Sequence, residues 1–183
     1  MDTVKHGLKR GLQLQALLGL ALGAASLGAA EDVVLDFEQG ALGEWIPAWE
    51  EQGVSFGLAW KPTKSKAVGS LTFFPHIGTD RQGILAAMAT DPIPLEVRFA
   101  APVMSVSATC WAHTGSAARL QAFAADGTLL DTVEIARVPQ RTDPANPMPQ
   151  FELSVTGEAI AFVRFSGPRE GEYLAVDELR IRD

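Results

Sequence analysis

The stretch ARLQAFAADGTLLDTVEIA, Ala118–Ala136, decides the fold class of this chain. Apolar and polar residues alternate on both sides of its centre, which is the two-residue period of a β-strand with one buried face. The centre, ADGT, contains Gly127, and glycine readily adopts the positive φ angles that tight hairpin turns require. The stretch therefore predicts two antiparallel strands, Ala118–Ala124 and Leu129–Ala136, joined by a short turn.

The same two-residue period recurs along most of the chain after residue 30, and no segment has the period of an amphipathic helix of normal length. About ten short strands separated by glycine and proline predict an all-β fold, namely a two-sheet antiparallel β-sandwich of the jelly-roll type. No shift in composition marks a second domain, so residues 31–183 are predicted to form one domain. The other predicted strands are VVLDFE (Val33–Glu38), GVSFGLAW (Gly53–Trp60), SLTFF (Ser70–Phe74), ILAAM (Ile84–Met88), PLEVRFA (Pro94–Ala100), MSVSATCWA (Met104–Ala112), FELSVT (Phe151–Thr156), AIAFVRFS (Ala159–Ser166) and LAVDELRIR (Leu174–Arg182).

The first thirty residues have the three parts of a secretory signal peptide. A basic start with Lys5, Lys9 and Arg10 precedes the apolar run Leu12–Leu27, and small residues follow it up to Ala30. The alternative is an uncleaved membrane anchor, but the run is short for a span and contains two glutamines. The pattern predicts export to the periplasm or the cell exterior, with no stable membrane insertion once residues 1–30 are removed.

Charge and cysteine content narrow the function classes further. The formal net charge is −7, which disfavours nucleic-acid binding because that function needs a basic surface to neutralise phosphates. Cys110 is the only cysteine, so the domain has no internal disulfide and must depend on a packed core.

Motifs that would indicate an enzyme are weak. GVSFG, Gly53–Gly57, matches the G-x-S-x-G pattern of hydrolases, in which the serine sits at a sharp turn between a strand and a helix. Here the apolar alternation continues after Ser55 and no helix is predicted to follow, so a catalytic serine is not expected. The spacings typical of zinc sites and EF-hands are absent from the sequence.

The segment FPHIGTDRQG, Phe74–Gly83, is the densest group of polar residues. His76, Asp80 and Arg81 lie in a glycine-bounded loop, and loops of this kind often line ligand sites. The alternative is an ordinary solvated turn, in which Asp80 accepts backbone hydrogen bonds and Arg81 forms a surface ion pair.

The tryptophans suggest a second kind of site. Sugar rings stack on exposed aromatic faces, where a flat apolar surface meets a polar rim. Trp45 and Trp49 lie in a predicted loop, whereas Trp111 shares its side of a strand with serines and a threonine and should face outward. Trp111 is therefore the preferred stacking residue. The alternative is that each tryptophan, Trp60 included, caps one end of the core.

One strand departs from simple alternation. In LAVDELRI, Leu174–Ile181, strict alternation places Asp177 on the same face as Leu179 and Ile181. Because those two residues are apolar, this face is the better candidate for the core. A carboxylate on such a face costs several kcal/mol unless it is paired or bound to a metal ion. Asp177 is therefore predicted to have a specific partner.

Five segments follow one another along the chain, namely LDFE, FAAPVMSVSAT, LQAFAADGTLLDT, IAFVRFSG and LAVDEL. In this order they resemble exported bacterial jelly-roll domains, which are similar to carbohydrate-binding modules and to the ectodomains of C-terminally sorted surface proteins. The resemblance implies that the first and last strands lie side by side and share a structural calcium ion bound by oxygen ligands. The implied ligands are Asp36 or Glu38 from the first strand and Asp177 from the last. The alternative is that Asp177 accepts backbone N–H bonds or pairs with an arginine.

The sequence thus leads to a non-catalytic exported binding module that recognises a carbohydrate or another cell-surface component. The expected ligand-binding residues are Trp111, Trp45, Trp49, His76, Asp80 and Arg81. A structural or protein-interaction module without sugar affinity is the alternative, and a hydrolase is a weaker one.

Overall fold

The regular structure is entirely β in the computed structural model, which describes residues 32–60, 71–86, 93–112, 117–167 and 174–183. Among these residues no helix is present that is long and apolar enough to cross a membrane. The predicted signal peptide, residues 1–30, lies outside the described ranges. The strands are β1 (Val33–Leu35), β2 (Trp45–Ile46), β3 (Trp49–Glu51), β4 (Val54–Leu58), β5 (Leu71–Pro75), β6 (Gln82–Ala86), β7 (Leu95–Ala112), β8 (Ala118–Phe123), β9 (Leu129–Ile135), β10 (Phe151–Ser166) and β11 (Leu174–Arg182).

Two long strands, β7 and β10, organise the sandwich. They pair with each other antiparallel from Phe151↔Cys110 to Phe165↔Leu95, and the register shifts between Thr156 and Phe162. Ala159 has a φ of 63° within this shift, a conformation that only irregular backbone adopts. The shift divides each strand into two halves with different neighbours.

The halves define two layers. The first layer consists of β2, β5, β6, β11 and the C-terminal half of β7, with the N-terminal half of β10 beside it and β1 paired to β11. The second layer consists of β3, β4, the N-terminal half of β7, the C-terminal half of β10, β8 and β9. Every pairing between strands is antiparallel in the described ranges.

The core lies between the layers. Trp49 of the second layer meets Phe73 of the first edge to face at 5.0 Å between ring centroids, and Phe37 meets Phe56 in the same way at 5.3 Å. One continuous cluster of buried apolar side chains draws on both layers, with Leu71, Ile84 and Val176 from one and Val97, Leu120 and Val163 from the other. The predicted all-β sandwich is confirmed.

The strand boundaries differ from the prediction chiefly by two mergers and by two additional strands, while β1, β4 and β6 are shifted or shortened by a few residues. Pro94–Ala100 and Met104–Ala112 merge into the single strand β7, because Pro102 lies within the continuous strand rather than ending it. Phe151–Thr156 and Ala159–Ser166 merge into β10 in the same way, since Gly157 lies within its register shift. The predicted loop around Trp45 and Trp49 contains the two short strands β2 and β3.

The predicted proximity of the first and last strands is confirmed. β1 pairs with β11 antiparallel, with Val33 opposite Ile181 and Leu35 opposite Leu179. The chain that follows β1 therefore enters the neighbourhood of Asp177.

Candidate functional site

Trp111 faces away from the main core, as its place in the alternation predicts, but that side of β7 is covered. Its neighbours Cys110 and Ala112 belong to the main core, whereas Trp111 belongs to a second apolar cluster with Met148 and Ala175. The Trp111 side chain is 0% exposed. The prediction that Trp111 is an open stacking surface is therefore wrong.

The cover over Trp111 is the loop 137–150, held by the turn between β5 and β6. His76 is buried, and its Nε2 donates to the main-chain oxygen of Met148 at 2.7 Å. The main-chain N–H of Met148 donates to Ile77 O at 2.9 Å, and the His76 ring meets Trp111 edge to face at 4.8 Å. His76 thus holds the loop in place, which leaves it unavailable for the ligand contact that the sequence suggests.

Two glycines make this covered arrangement possible. A Cβ on Gly83 would lie 2.6 Å from Cη2 of Trp111, and one on Gly78, where φ is +95°, would lie 2.6 Å from Cα of Pro147. Larger residues at these positions would push the tryptophan or the loop out of place.

The prediction that Asp177 lies on the core face is also wrong, because β11 contains a bulge. The register with β7 shifts between Asp177 and Arg180, and Glu178 has a φ of 42°. The extra residue places Asp177 on the side of Trp111 and Ala175, while Val176 and Leu179 both face the main core.

Asp177 has the partners that the alternative interpretation named. Its side chain is 0% exposed, and its Oδ1 accepts the N–H of Glu178 at 2.7 Å. Its Oδ2 lies 2.5 Å from Nη2 of Arg81, a close ion pair that lacks the angles of a hydrogen bond. Burial raises the pKa of Asp177 to about 6, although the Glu178 N–H and the charge of Arg81 act in the opposite direction.

The neighbouring Glu178 completes an ionic cluster. It lies 2.9 Å from Arg81 and 3.0 Å from Arg180, and the hydroxyl of Thr109 donates to it at 3.1 Å. Burial acts to raise the pKa of Glu178, but the Thr109 hydrogen bond and the charge of Arg81 hold it below its ordinary value.

The other two implied calcium ligands have different roles in the fold. Asp36 accepts the N–H of Glu38 at 3.2 Å, and Glu38 accepts the N–H of Gln82 at 3.2 Å. Within the described ranges no three side chains of histidine, cysteine, aspartate or glutamate converge in the way a metal ion needs. Calcium at this seam stays a prediction.

The remaining predicted ligand residues are scattered. Trp45 is 58% exposed on β2, and Asp80 is exposed in its turn. Trp49 is half-buried against Phe73. In the part of the chain that the structure describes, no hydrogen bond, ion pair or ring contact joins either tryptophan with Asp80 or Arg81.

The GVSFG motif does not form a nucleophile elbow. Ser55 lies within β4 opposite Arg98 of β7, and the strand continues to Leu58. The strained turn into a helix that exposes a catalytic serine is therefore not formed here.

A groove of about 310 Å³ opens on the solvent side of the second layer. Trp60, 49% exposed, lines it together with the polar side chains of Arg119, Gln121, Glu134 and Ser166. We call this the Trp60 groove. It combines a flat apolar surface with a polar rim, as a sugar site requires. The sequence predicted this combination at Trp111, whereas the structure has it at Trp60.

The polar groups of the groove are ordered. Nε and Nη2 of Arg119 both donate to Oε2 of Glu134, at 2.8 and 2.5 Å. Oε1 of Glu134 and the side-chain amide of Gln121 have no hydrogen-bond partner among the described residues. The groove therefore offers a fixed donor, a free acceptor and a free amide to hydroxyl groups of a ligand.

The solvent side of the second layer continues from the groove as a polar face. Across the ladder, Gln121 lies opposite Arg164, and Arg164 lies opposite Glu96. Glu96 is nearly buried and forms ion pairs with Arg98 at 2.6 Å and with Arg164 at 2.8 Å. We call the solvent side formed by Glu96, Arg98, Arg119, Gln121, Glu134, Arg164 and Ser166 the polar face.

Sequence reasoning missed the Trp60 groove for a local and a non-local reason. Trp60 shares the apolar parity of Phe56 and Leu58, which predicts a core position, but β4 ends at Leu58 and the alternation no longer applies. Arg119 and Gln121 have the ordinary pattern of a solvent-facing strand, and only the order β7-β10-β8-β9 brings the polar side chains together.

No protein-family model and no curated protein matches the chain. Solved structures that it resembles include the K1 cleaved adhesin domain of Lys-gingipain from Porphyromonas gingivalis W83, at 12% identity and a TM-score of 0.49, covering 83% of this chain and 98% of that one. Another is a family 29 carbohydrate-binding module from Piromyces equi, at 7% identity and a TM-score of 0.49, covering 84% of this chain and 91% of that one. A third is the CBM22-1 xylan-binding domain of Xyn10C from Paenibacillus barcinonensis, at 12% identity and a TM-score of 0.40, covering 84% and 95%. At these values the likenesses define neither a family nor a ligand for this chain.

Proposed function

We propose that the chain is a non-catalytic, exported binding module that recognises a carbohydrate or another cell-surface component in the Trp60 groove. The observation that carries the proposal is the half-exposed indole of Trp60 beside the ordered Arg119–Glu134 pair. A pyranose ring has an apolar face that can stack on an indole, and its edge hydroxyls can bond with the guanidinium, the carboxylate and the Gln121 amide.

The proposal does not involve catalysis. The serine of the hydrolase-like motif is inside a strand, and His76 is buried in the contact with the loop 137–150. Neither Ser55 nor His76 is among the residues that line the Trp60 groove. Ligand binding without bond cleavage is the function that these positions support.

Replacing Trp60 by alanine should weaken saccharide binding by about tenfold or more, because the stacking surface is lost while the polar groups remain. Folding should change little, since an exposed side chain contributes little packing. A glycan array probed with the wild type and with Trp60→Ala gives the comparison, and Trp45→Ala is the matched control because Trp45 is exposed to a similar degree. No glycan signal from the wild-type protein would refute carbohydrate recognition in the Trp60 groove.

A second candidate is a protein-interaction module without sugar affinity. It is favoured by Leu42 and Trp45, two large apolar side chains that are each 58% exposed near the edge strand β2. In that case Trp45→Ala should reduce retention on intact cells or envelope fractions, and Trp60→Ala should leave it unchanged.

A further inference from the structure

The centre of the polar face contains more positive than negative charge. Two guanidiniums, those of Arg98 and Arg164, share the single carboxylate of Glu96. Each oxygen of that carboxylate is already engaged, Oε1 by Arg98 and Oε2 by Arg164. The neighbouring Arg119–Glu134 pair is balanced, so the five charged side chains Glu96, Arg98, Arg119, Glu134 and Arg164 together carry one net positive charge. This surplus lies in a chain whose net charge is −7. A further carboxylate on this side, that of Glu50 on β3, lies two strands away from Arg98, across Ser55.

The two arginines pack on a pair of stacked phenylalanine rings. Phe123 and Phe162 stack parallel, with centroids 4.8 Å apart and planes inclined by 9°. The guanidinium of Arg98 lies 4.5 Å above Phe162, and that of Arg164 lies 5.0 Å above Phe123. Cation–π contacts of this kind favour these guanidinium positions, so less conformational entropy is lost when a ligand binds.

Donor groups remain available on both arginines. Arg98 uses only Nη2 and Arg164 only Nε in their contacts with Glu96. No other hydrogen bond or ion pair of these two guanidiniums occurs within the described residues. The side chains are 55% and 28% exposed, so their remaining N–H groups can reach a ligand. A planar guanidinium with free N–H groups is suited to a carboxylate, which it can bind with two parallel hydrogen bonds.

We propose that the saccharide recognised on the polar face is acidic, with a uronic-acid carboxylate bound by Arg98 and Arg164 further along the face than the ring that stacks on Trp60. This inference rests on the proposed function and specifies its ligand class. Glu96 fixes the spacing of the two guanidiniums, and the stacked phenylalanines support them. Because the chain as a whole is acidic, the attraction is local, and short oligosaccharides are the appropriate probes.

The test compares a short oligogalacturonide with its fully methyl-esterified form, which has the same sugars but no charge. We expect wild-type protein to bind the acid at least about tenfold more tightly by titration calorimetry, since charge-assisted hydrogen bonds are the stronger kind. Arg98→Gln should bring the ratio of the two affinities close to one. Arg182→Gln is the matched control, because Arg182 pairs with Asp32 on the surface outside the polar face. It should leave the ratio unchanged.

Three outcomes would overturn the inference. Equal affinities for acid and ester, with both lost in Trp60→Ala, would contradict the acidic ligand and leave the proposed function intact. No binding of either saccharide, or of any glycan on the array, would refute both. An oligoglutamate of similar length that binds as tightly as the acid, and equally depends on Arg98, would show that charge alone is recognised.

Discussion

Replacing Trp111 by alanine should lower the free energy of unfolding by about 3–5 kcal/mol, the range measured for large aromatic side chains removed from protein cores. Trp111 is 0% exposed and packs against Met148 and Ala175 beneath the loop 137–150. The substitution would leave a cavity under that loop and remove the ring contact with His76. Such a loss is a large part of the stability of an ordinary domain.

Urea unfolding of wild type, Trp111→Ala and Trp60→Ala measures this difference directly. Trp60→Ala is the matched control and should change the free energy by no more than about 1 kcal/mol, since its side chain is half exposed. Trp111→Phe should cost less than Trp111→Ala, because phenylalanine fills more of the space and leaves a smaller cavity. Neither change breaks a hydrogen bond of the indole Nε1, which has no partner in the described part of the chain. A Trp111→Ala protein as stable as the wild type would contradict the buried position.

Replacing Asp177 by asparagine should stabilise the protein above about pH 6, by on the order of 3 kcal/mol at most, and have little effect below about pH 4. The pKa of Asp177 is raised from 3.8 to about 6 by burial, so the folded state binds more protons than the unfolded state between these values. The contribution of Asp177 to stability is therefore greatest below pH 4 and is lost as the pH rises towards 6. Asparagine is always neutral and avoids this loss, while Arg81 keeps its ion pair with Glu178.

Urea unfolding at several pH values between 4 and 8 tests this result. Asp126→Asn is a matched control of opposite sign, because the pKa of Asp126 in the β8–β9 turn is lowered by its hydrogen bond with the N–H of Thr128. That variant should lose stability above about pH 4, where the charged form is favoured. A difference between Asp177→Asn and the wild type that does not depend on pH would contradict the raised pKa.

The same variant tests the calcium prediction. If Asp177 bound calcium, EDTA would lower the melting temperature of the wild type, and Asp177→Asn would be less stable than the wild type in calcium. A buried carboxylate that is paired with Arg81 and holds no metal ion predicts no effect of EDTA. Its raised pKa predicts the opposite change for the variant, a gain of stability above about pH 6.

The sequence predicted well what depends on residues near one another in the chain. Alternation in Ala118–Ala136 identified two strands and their turn, and the parity of Trp111 correctly indicated the side that faces away from the main core. Its burial depends on His76 and Met148, which are 72 residues apart in the chain. No pattern local to Trp111 could have indicated that cover.

Asp177 and the polar face show two further limits. The bulge at Glu178 changes which side chains of β11 face the core. Glu178 has a positive φ, but the residue is not a glycine, so the sequence does not indicate the bulge. Glu96 and Arg164 are 68 residues apart, so their pairing could be recognised only once β7 and β10 were known to be neighbours. Alternation predicts which side of a strand is exposed, but it does not predict which exposed side chains meet.

The central claim is that a saccharide stacks on Trp60, and the most direct measurement is a ¹H–¹⁵N correlation spectrum during saccharide titration. The chain has four tryptophans, so four indole N–H signals are expected, and Trp60→Phe assigns the relevant one. We predict that the Trp60 signal shifts until the site is saturated while that of the buried Trp111 stays in place. Saturable binding that leaves the Trp60 signal unmoved and shifts that of Trp45 would contradict the account.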